Sequence, residues 1–228
     1  MLAEFGVIFL GITLSLLADD WRTARTERVE ERTALSELLS DLADDQLELS
    51  TLRDGAARHD RDAWWIFERL DKEGVNADSA AARFGSVHDA LNYEPINATY
   101  AGLRSTGRLA LVRDDDLRRS IVRYFEERQE YVFGFVESYA GIWLAFTESA
   151  ALDIERAYSD SAASFSPDGR TRLGWQFLRP WGELPSDPMF RYRITTMGTL
   201  AAVIADRSEG LIGESEELQE AIRRYLES

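Results

Sequence analysis

The chain begins with a continuous apolar run. Residues 2–18 read LAEFGVIFLGITLSLLA, interrupted only by Glu4, Thr13 and Ser15. As a helix this run is about 26 Å long, close to the hydrocarbon thickness of a bilayer. The pattern predicts a transmembrane anchor over residues 1–21, with Trp21 at the membrane edge. The side chains assigned to the bilayer are Phe5, Val7, Ile8, Phe9, Leu10, Ile12, Leu14, Leu16 and Leu17.

Two other interpretations of the apolar run stay open, a cleaved signal peptide and a buried helix of a soluble domain. A signal peptide carries basic residues before its apolar core and a break after it. No basic residue precedes Phe5, and helix-favouring sequence continues from Asp19 to Leu52. A buried helix is compatible with the run, which is at the short limit for spanning.

The flanks and small residues of the predicted anchor indicate its orientation and its neighbours. Arginines follow the anchor and no basic residue precedes it; they are Arg22, Arg25, Arg28 and Arg32. This asymmetry favours a cytoplasmic domain on a single-pass protein of a bacterial inner membrane, with a periplasmic domain as the alternative. Gly6 and Gly11 allow another helix to approach closely, and we predict that they contact other membrane proteins.

Apolar residues continue at helical spacing beyond the anchor. The leucines that predict a first bundle helix are Leu35, Leu38, Leu39, Leu42, Leu49 and Leu52. In heptad terms, Asp45 falls on the same helix face as these leucines. The pattern is too short for a coiled coil. Gly55 is predicted to turn the chain. A second helix is predicted from Ala56 to Glu73, with Gly74 as its stop.

Capping residues predict two short helices after this pair. Asp78 or Ser79 is predicted to cap the first, which ends before Pro95. Asn97 is predicted to cap the second, and Gly107 to provide its left-handed exit.

The longest helix is predicted from Asp114, as its cap, to about Tyr158. Within it, Tyr131 to Thr147 contains one charged residue, Glu137. A second transmembrane span is the alternative interpretation of this stretch. A carboxylate at the bilayer centre costs about 3 kcal/mol, so a core helix is preferred.

The C-terminal part is predicted to contain two more helices. Asp187-Pro188 is a typical helix start, Gly210 and Gly213 are predicted to interrupt the helix, and Glu214 to Leu226 forms the last one. No useful β-alternation is present. The predicted fold is all-α: an N-terminal transmembrane helix that continues into a domain, residues 22–228, with a bundle of about four main helices.

Residues 159–186 form a long predicted loop that contains three of the five prolines. A connection of this length is unusual in a compact domain, and aromatic residues alternate in it with arginines. Its aromatics are predicted to plug the end of the bundle, to dock a partner or to contact lipid. The candidate interface residues in it are Phe165, Arg172, Trp175, Phe177, Arg179 and Trp181.

Composition restricts the possible functions. The 41 acidic and 26 basic residues give a net charge of −15, which argues against nucleic acid as a partner. The absence of cysteine excludes disulfides and thiolate chemistry.

The sequence contains no candidate catalytic set. His59 and His88 are the only histidines; neither follows a Glu at the spacing of a di-metal site, and both are predicted to be surface or capping residues. No phosphate loop, nucleophile elbow or calcium loop is present. We therefore predict a non-enzymatic protein without metal or cofactor.

Two stretches carry a family resemblance. Glu4 to Arg25 reads EFGVIFLGITLSLLADDWRTAR, a Glu and an apolar run with Gly-Ile that lead into Asp-Trp and a charged helix. Tyr100 to Phe125 reads YAGLRSTGRLALVRDDDLRRSIVRYF, with the spacing Tyr-x-x-Leu-x-x-Thr-Gly-x-Leu before an acidic turn. Both resemble an uncharacterised bacterial family of single-pass membrane proteins with a helical domain of unknown function. The resemblance implies membrane attachment and a helical domain, and no activity.

These observations together predict a non-catalytic accessory or scaffolding subunit of a larger bacterial membrane complex, of which respiratory and photosynthetic complexes are examples. Its predicted partners are other membrane proteins and the lipid bilayer. The alternative is a membrane-anchored sensor or signalling bundle that forms a homo-oligomer.

Overall fold

In the computed structural model, the backbone is described for residues 2–150, 154–158 and 173–228, and the side chains for residues 13–146 and 176–228. These parts of the chain are predominantly α-helical, which confirms the helical fold class. The helices are α1 (Leu2–Phe67), α2 (Ala77–Val87), α3 (Ala98–Ser105), α4 (Asp115–Arg123), α5 (Gln129–Ala150) and α6 (Pro188–Glu227). The strands are β1 (Ile154–Tyr158) and β2 (Leu173–Phe177), the 3₁₀ turns are Arg108–Leu111 and Trp181–Ser186, and a π-helical segment covers Tyr124–Arg128.

Helix α1 is a single element of 66 residues, so the predicted turn at Gly55 is wrong. Gly55 is buried inside the helix, and a Cβ at this position would lie 3.3 Å from Cδ2 of Leu91. Glycine inside a helix costs about 1 kcal/mol relative to alanine. Here the small residue provides room for Leu91. The helix ends at Phe67, and Gly74 adopts a left-handed φ of 73° in the turn that follows.

Helix α6 is also continuous, so the predicted interruption at Gly210 and Gly213 is wrong. Leu211 and Ile212 are buried between these glycines, and their burial offsets the propensity cost of about 1 kcal/mol per glycine. The predicted start is confirmed, since α6 begins at Pro188 and Oδ1 of Asp187 accepts a bond of 2.9 Å from the backbone N–H of Met189.

The predicted caps have mixed outcomes. Asp114 caps α4 as predicted, and its carboxylate accepts two backbone N–H bonds of 2.9 Å from the first turn. Gly107 is left-handed as predicted, with a φ of 72°. The predicted caps of α2, Asp78 and Ser79, are wrong, because Oδ1 of Asn76 accepts the N–H of Ser79 at 2.8 Å.

The predicted long helix stops at Ala150 instead of Tyr158, and strand β1 covers the last five residues of the predicted range, whereas β2 lies in the predicted loop. Strand β1 pairs with β2 in antiparallel register, with Ile154 opposite Phe177 and Tyr158 opposite Leu173. The sequence analysis did not identify this pair of strands, whereas the helical fold class is confirmed. Five-residue strands are too short for a clear alternation, and β1 finds its partner outside its own sequence neighbourhood.

The chain forms two compact units. Unit 1 consists of Met1–Asp45, Ile96–Glu127 and Glu214–Ser228, and unit 2 of Gln46–Pro95 and Arg128–Gly213. Fully buried residues in unit 1 include Leu35, Leu38, Leu42, Ile121 and Ile222. In unit 2 they include Ile66, Phe84, Phe190, Ile194 and Met197.

One face of α1 is buried at alternating steps of four and three residues from residue 31 to residue 66. The apolar members of this face, which we call the seam, are Leu35, Leu38, Leu42, Leu49, Leu52, Ala56, Ala63 and Ile66. Three polar residues also lie on the seam and are 0–3% exposed: Glu31, Asp45 and His59. They recur every fourteen residues, which is four helical turns at the seven-residue repeat. The seam therefore places three polar groups where burial demands partners.

No helix within the described part of the chain is long and apolar enough to cross a membrane. Six of the ten residues assigned to the anchor lie outside the described side chains, as do the two glycines predicted to contact other membrane proteins: Phe5, Val7, Ile8, Phe9, Leu10, Ile12, Gly6 and Gly11.

The close approach of α1 and α6 within unit 2 gives a testable prediction. A Cβ on Gly198 would lie 2.7 Å from the Cβ of Ala63, whereas one on Gly210 would meet nothing within 4 Å. We expect Gly198→Ala to lower the free energy of unfolding by about 1–3 kcal/mol through overpacking. Gly210→Ala on the same helix should raise it by about 0.5–1 kcal/mol. Chemical denaturation measures both, and equal effects of the two variants would contradict the packing.

Candidate functional site

The first candidate site is the N-terminal part of α1. Leu14, Leu16 and Leu17 are 58%, 61% and 59% exposed. Leu16 lies about 200° around the helix from Leu14, so apolar side chains are exposed on opposite sides. A helix that packs on its own domain buries one stripe instead. The exposed leucines therefore do not form the single buried stripe of a helix that packs on its own domain.

Aromatic and charged residues follow these leucines. Trp21 is 66% exposed, and the guanidinium carbon of Arg25 lies 5.6 Å from the centre of its ring. Nη2 of Arg22 lies 3.1 Å from Oδ1 of Asp19 one turn earlier. Arg28 is exposed one turn after Arg25.

Two carboxylates in the same turns of α1 form ion pairs with arginines of unit 1. Nη2 of Arg108 lies 2.9 Å from Oε2 of Glu30, and Nη2 of Arg113 lies 3.4 Å from Oε2 of Glu27. This stretch of α1 therefore presents carboxylates to its own unit and Arg25 on a different side.

Glu31 begins the buried polar series of the seam. Its Oε1 accepts the backbone N–H of Arg113 at 2.8 Å and the hydroxyl of Tyr225 at 2.6 Å. Burial, followed by the bond to Glu31, raises the pKa of Tyr225 to about 12. Glu31 thus joins α1 to the connection between the first 3₁₀ turn and α4, and to the end of α6, inside unit 1.

Asp45 has the same role two heptads later. Its Oδ1 accepts the backbone N–H of Ile96 at 3.1 Å, and its Oδ2 accepts the hydroxyl of Tyr124 at 2.8 Å. Burial, with the carboxylate of Asp45 as the next cause, raises the pKa of Tyr124 far above its usual range. The π-helical segment begins at Tyr124, so Asp45 holds the residue at which the helix changes its period.

Asp41 completes this set of carboxylates. Asn97 occupies the N-cap position of α3 as predicted, but its side chain makes no capping bond. The N–H of Thr99 donates instead to Oδ2 of Asp41 at 2.8 Å. A carboxylate of α1 therefore satisfies the first turn of α3, where it also interacts favourably with the helix dipole.

The two histidines are both buried. His59 lies inside α1, so its prediction as a surface or capping residue is wrong, whereas His88 is the C-cap of α2 as predicted. His59 is 2% exposed, and its Nδ1 has no hydrogen-bond partner among the described residues. Burial, followed by the charge of Arg58, lowers the pKa of His59 to about 4. The carboxylate of Asp62 acts in the opposite direction and is already paired with Arg83. His59 is therefore neutral near pH 7.

His88 lies at the end of α2 in the same unit. Its Nδ1 lies 2.8 Å from the carbonyl oxygen of Phe84, and it carries the proton because a carbonyl can only accept. The indole Nε1–H of Trp143 donates to the carbonyl oxygen of His88 at 2.8 Å. One turn earlier on α5, the buried hydroxyl of Tyr139 has no partner in the described structure, and burial raises its pKa.

These polar groups do not form a metal centre. Across the described residues, no group of three or more His, Asp or Glu side chains is arranged to hold a metal ion. The two buried carboxylates of the seam, Glu31 and Asp45, bind backbone and tyrosine groups, which is a structural role.

The predicted loop interface is only partly within the described structure. Phe177 packs 5.7 Å from Phe84 and 5.6 Å from Trp181, measured between ring centres, and Trp181 lies 6.4 Å from Phe190. These contacts favour the bundle plug for Phe177 and Trp181. The remaining candidate residues are Arg179, which pairs with Asp187 at 3.0 Å and lowers the pKa of that carboxyl, and Phe165, Arg172 and Trp175, whose side chains lie outside the described residues.

Comparison with protein-family models, curated proteins and solved structures finds no match to this chain. The interpretation of the site therefore depends on its own geometry.

A sequence signal existed for the buried polar residues that were not identified. Glu31 and His59 lie fourteen residues before and after Asp45, in the same seven-residue phase. Asp45 was recognised on the leucine seam, and extending that phase in both directions locates the other two.

The carboxylate of Asp45 gives a second prediction. Asp45→Ala leaves the Ile96 N–H and the Tyr124 hydroxyl without their acceptor, and we expect a loss of about 3 kcal/mol in unfolding free energy. Asp44→Ala, at the exposed neighbouring position, should change it by less than about 0.5 kcal/mol. Chemical denaturation of the two variants measures the difference, and similar values would show that Asp45 is not a buried acceptor.

The depressed pKa of His59 gives a third prediction. The unfolded chain binds a proton at His59 below pH 6.5, whereas the folded chain does so only near pH 4. Folding stability should therefore fall between pH 6.5 and pH 4, by up to about 3 kcal/mol from this group. His59→Phe should remove that part of the pH dependence. Unfolding free energies measured across this pH range test it, and parallel pH profiles of the two proteins would contradict it.

Proposed function

We propose that the chain is a membrane-attached, non-catalytic helical subunit that acts through contacts with other proteins of a bacterial membrane assembly. In this proposal, residues 1–21 of α1 form the anchor, and units 1 and 2 form the interacting domain.

The observation that carries this proposal is the unbroken helix α1. Its N-terminal part exposes leucines on opposite sides, and the same helix supplies seam residues to both units. Leucines exposed in this way are suited to lipid, since a bilayer surrounds a helix completely. Trp21 and Arg22 follow at the place where a membrane–water interface would begin.

An exposed aromatic pair supports the contact function. Trp64 and Phe67 are 58% and 42% exposed, and their rings stack with centres 5.7 Å apart. Trp is among the residues most enriched in the energetic centres of protein interfaces. Both side chains belong to unit 2 and present their rings together on α1.

The same unbroken helix also supports the second candidate, a sensor or signalling bundle. A helix without a break can transmit a displacement or rotation of the anchor along its length. A sensor of this kind would work as a homo-oligomer, whereas a subunit would copurify with different proteins.

Deletion of residues 2–17 tests the anchor. The full chain is expected to stay with membranes after washing with salt and alkali, and the shortened chain to become soluble while keeping its helical circular dichroism. Extraction of the full chain by alkali alone would contradict the anchor.

The aromatic pair tests the contact function. We expect Trp64→Ala/Phe67→Ala to lose protein partners that copurify with the full chain in mild detergent, because two exposed anchor residues are removed. Leu47→Ala, at a 68% exposed position of the same unit, is the matched control and should keep them. Purification of the full chain as a homodimer alone would favour the sensor instead.

A further inference from the structure

Two arginines near the predicted membrane edge differ from most charged residues of unit 1. The other arginines include Arg108, Arg113, Arg118 and Arg119, each of which pairs with a carboxylate of the same unit. Arg25 and Arg28 are exposed, and within the described residues neither has a carboxylate within ion-pair distance. The chain as a whole has a net charge of −15, so acidic residues outnumber basic ones.

The positions of the two arginines relate them to Trp21. Arg25 lies one turn after Trp21 and stacks on its ring, and Arg28 lies one further turn along the same side of α1. An indole prefers the headgroup depth of a bilayer, so the two guanidinium groups would lie just outside that depth. A guanidinium binds phosphate oxygens in a planar, bidentate geometry.

We propose that Trp21, Arg25 and Arg28 form a contact site for the phosphate groups of anionic phospholipids. This inference rests on the proposed membrane attachment and specifies the lipid class that the anchor prefers. The site selects lipid by charge, and three carboxylates of the same helix turns, Asp19, Glu27 and Glu30, do not oppose it because arginines of unit 1 pair with them.

The local charge balance supports this selection. Asp19 is paired with Arg22, Glu27 with Arg113 and Glu30 with Arg108. The charges of Glu31 and Arg32 cancel, and Asp20 offsets one of the two remaining arginines, so residues 19–32 with Arg108 and Arg113 keep one net positive charge. One basic residue near an anionic surface increases association by about fivefold.

Quenching by brominated lipids tests the site in the full chain. The protein is reconstituted into bilayers with equal mole fractions of either brominated phosphatidylglycerol or brominated phosphatidylcholine. Because the chain has six tryptophans, the signal of Trp21 is obtained as the difference between the full chain and its Trp21→Phe variant. The variants compared are Arg25→Gln/Arg28→Gln and, as the matched control, Arg118→Gln/Arg119→Gln, which changes two paired arginines of the same unit.

We expect phosphatidylglycerol to quench Trp21 more strongly than phosphatidylcholine, with an apparent enrichment of about fivefold. This preference should disappear in Arg25→Gln/Arg28→Gln and persist in the control. Equal quenching by both lipids, or a preference that the double variant retains, would overturn the lipid site and leave the anchor intact. An absence of quenching by either lipid would overturn the proposed membrane attachment itself.

Discussion

The buried seam of α1 is the constraint on which the rest of the structure depends. A seven-residue apolar repeat keeps one face of a long helix buried, and this repeat includes a polar residue at Glu31, Asp45 and His59. A buried carboxylate is stable only when its oxygens accept hydrogen bonds. The segments that meet the seam must therefore provide donors at defined positions. Glu31 and Asp45 receive a backbone N–H and a tyrosine hydroxyl each.

This arrangement explains part of the acidic character of the chain. Asp41 satisfies the start of α3, a helix whose own N-cap side chain makes no bond. A short helix has little stability by itself. The carboxylate of Asp41 provides the capping bond that the N-cap side chain of α3 does not make. His59 is the contrasting member of the series, since its Nδ1 has no partner among the described residues and its burial lowers its pKa.

The sequence predicted correctly those features that depend only on residues adjacent in the chain. The cap at Asp114, the left-handed Gly107 and the start at Asp187-Pro188 each depend on a few adjacent residues. Gly55 was misjudged because its surroundings come from elsewhere in the chain, where Leu91 occupies the space beside it. The pairing of β1 with β2 was missed for the same reason. Among the candidate site residues, Leu14 and Trp21 are exposed, whereas Phe177 and Trp181 pack against neighbouring aromatics.

The measurement that tests the seam most directly is the reactivity of single cysteines along α1, since the chain has no cysteine of its own. Cysteines placed at Leu49, Ala56 and Ala63 should react slowly with a water-soluble thiol reagent, and those placed at the exposed Leu47 and Asp54 should react fast. The three slowly reacting positions are seven residues apart. They lie on the same face of α1 only if the helix continues through Gly55. Fast reaction at both Ala56 and Ala63 would contradict the continuous seam.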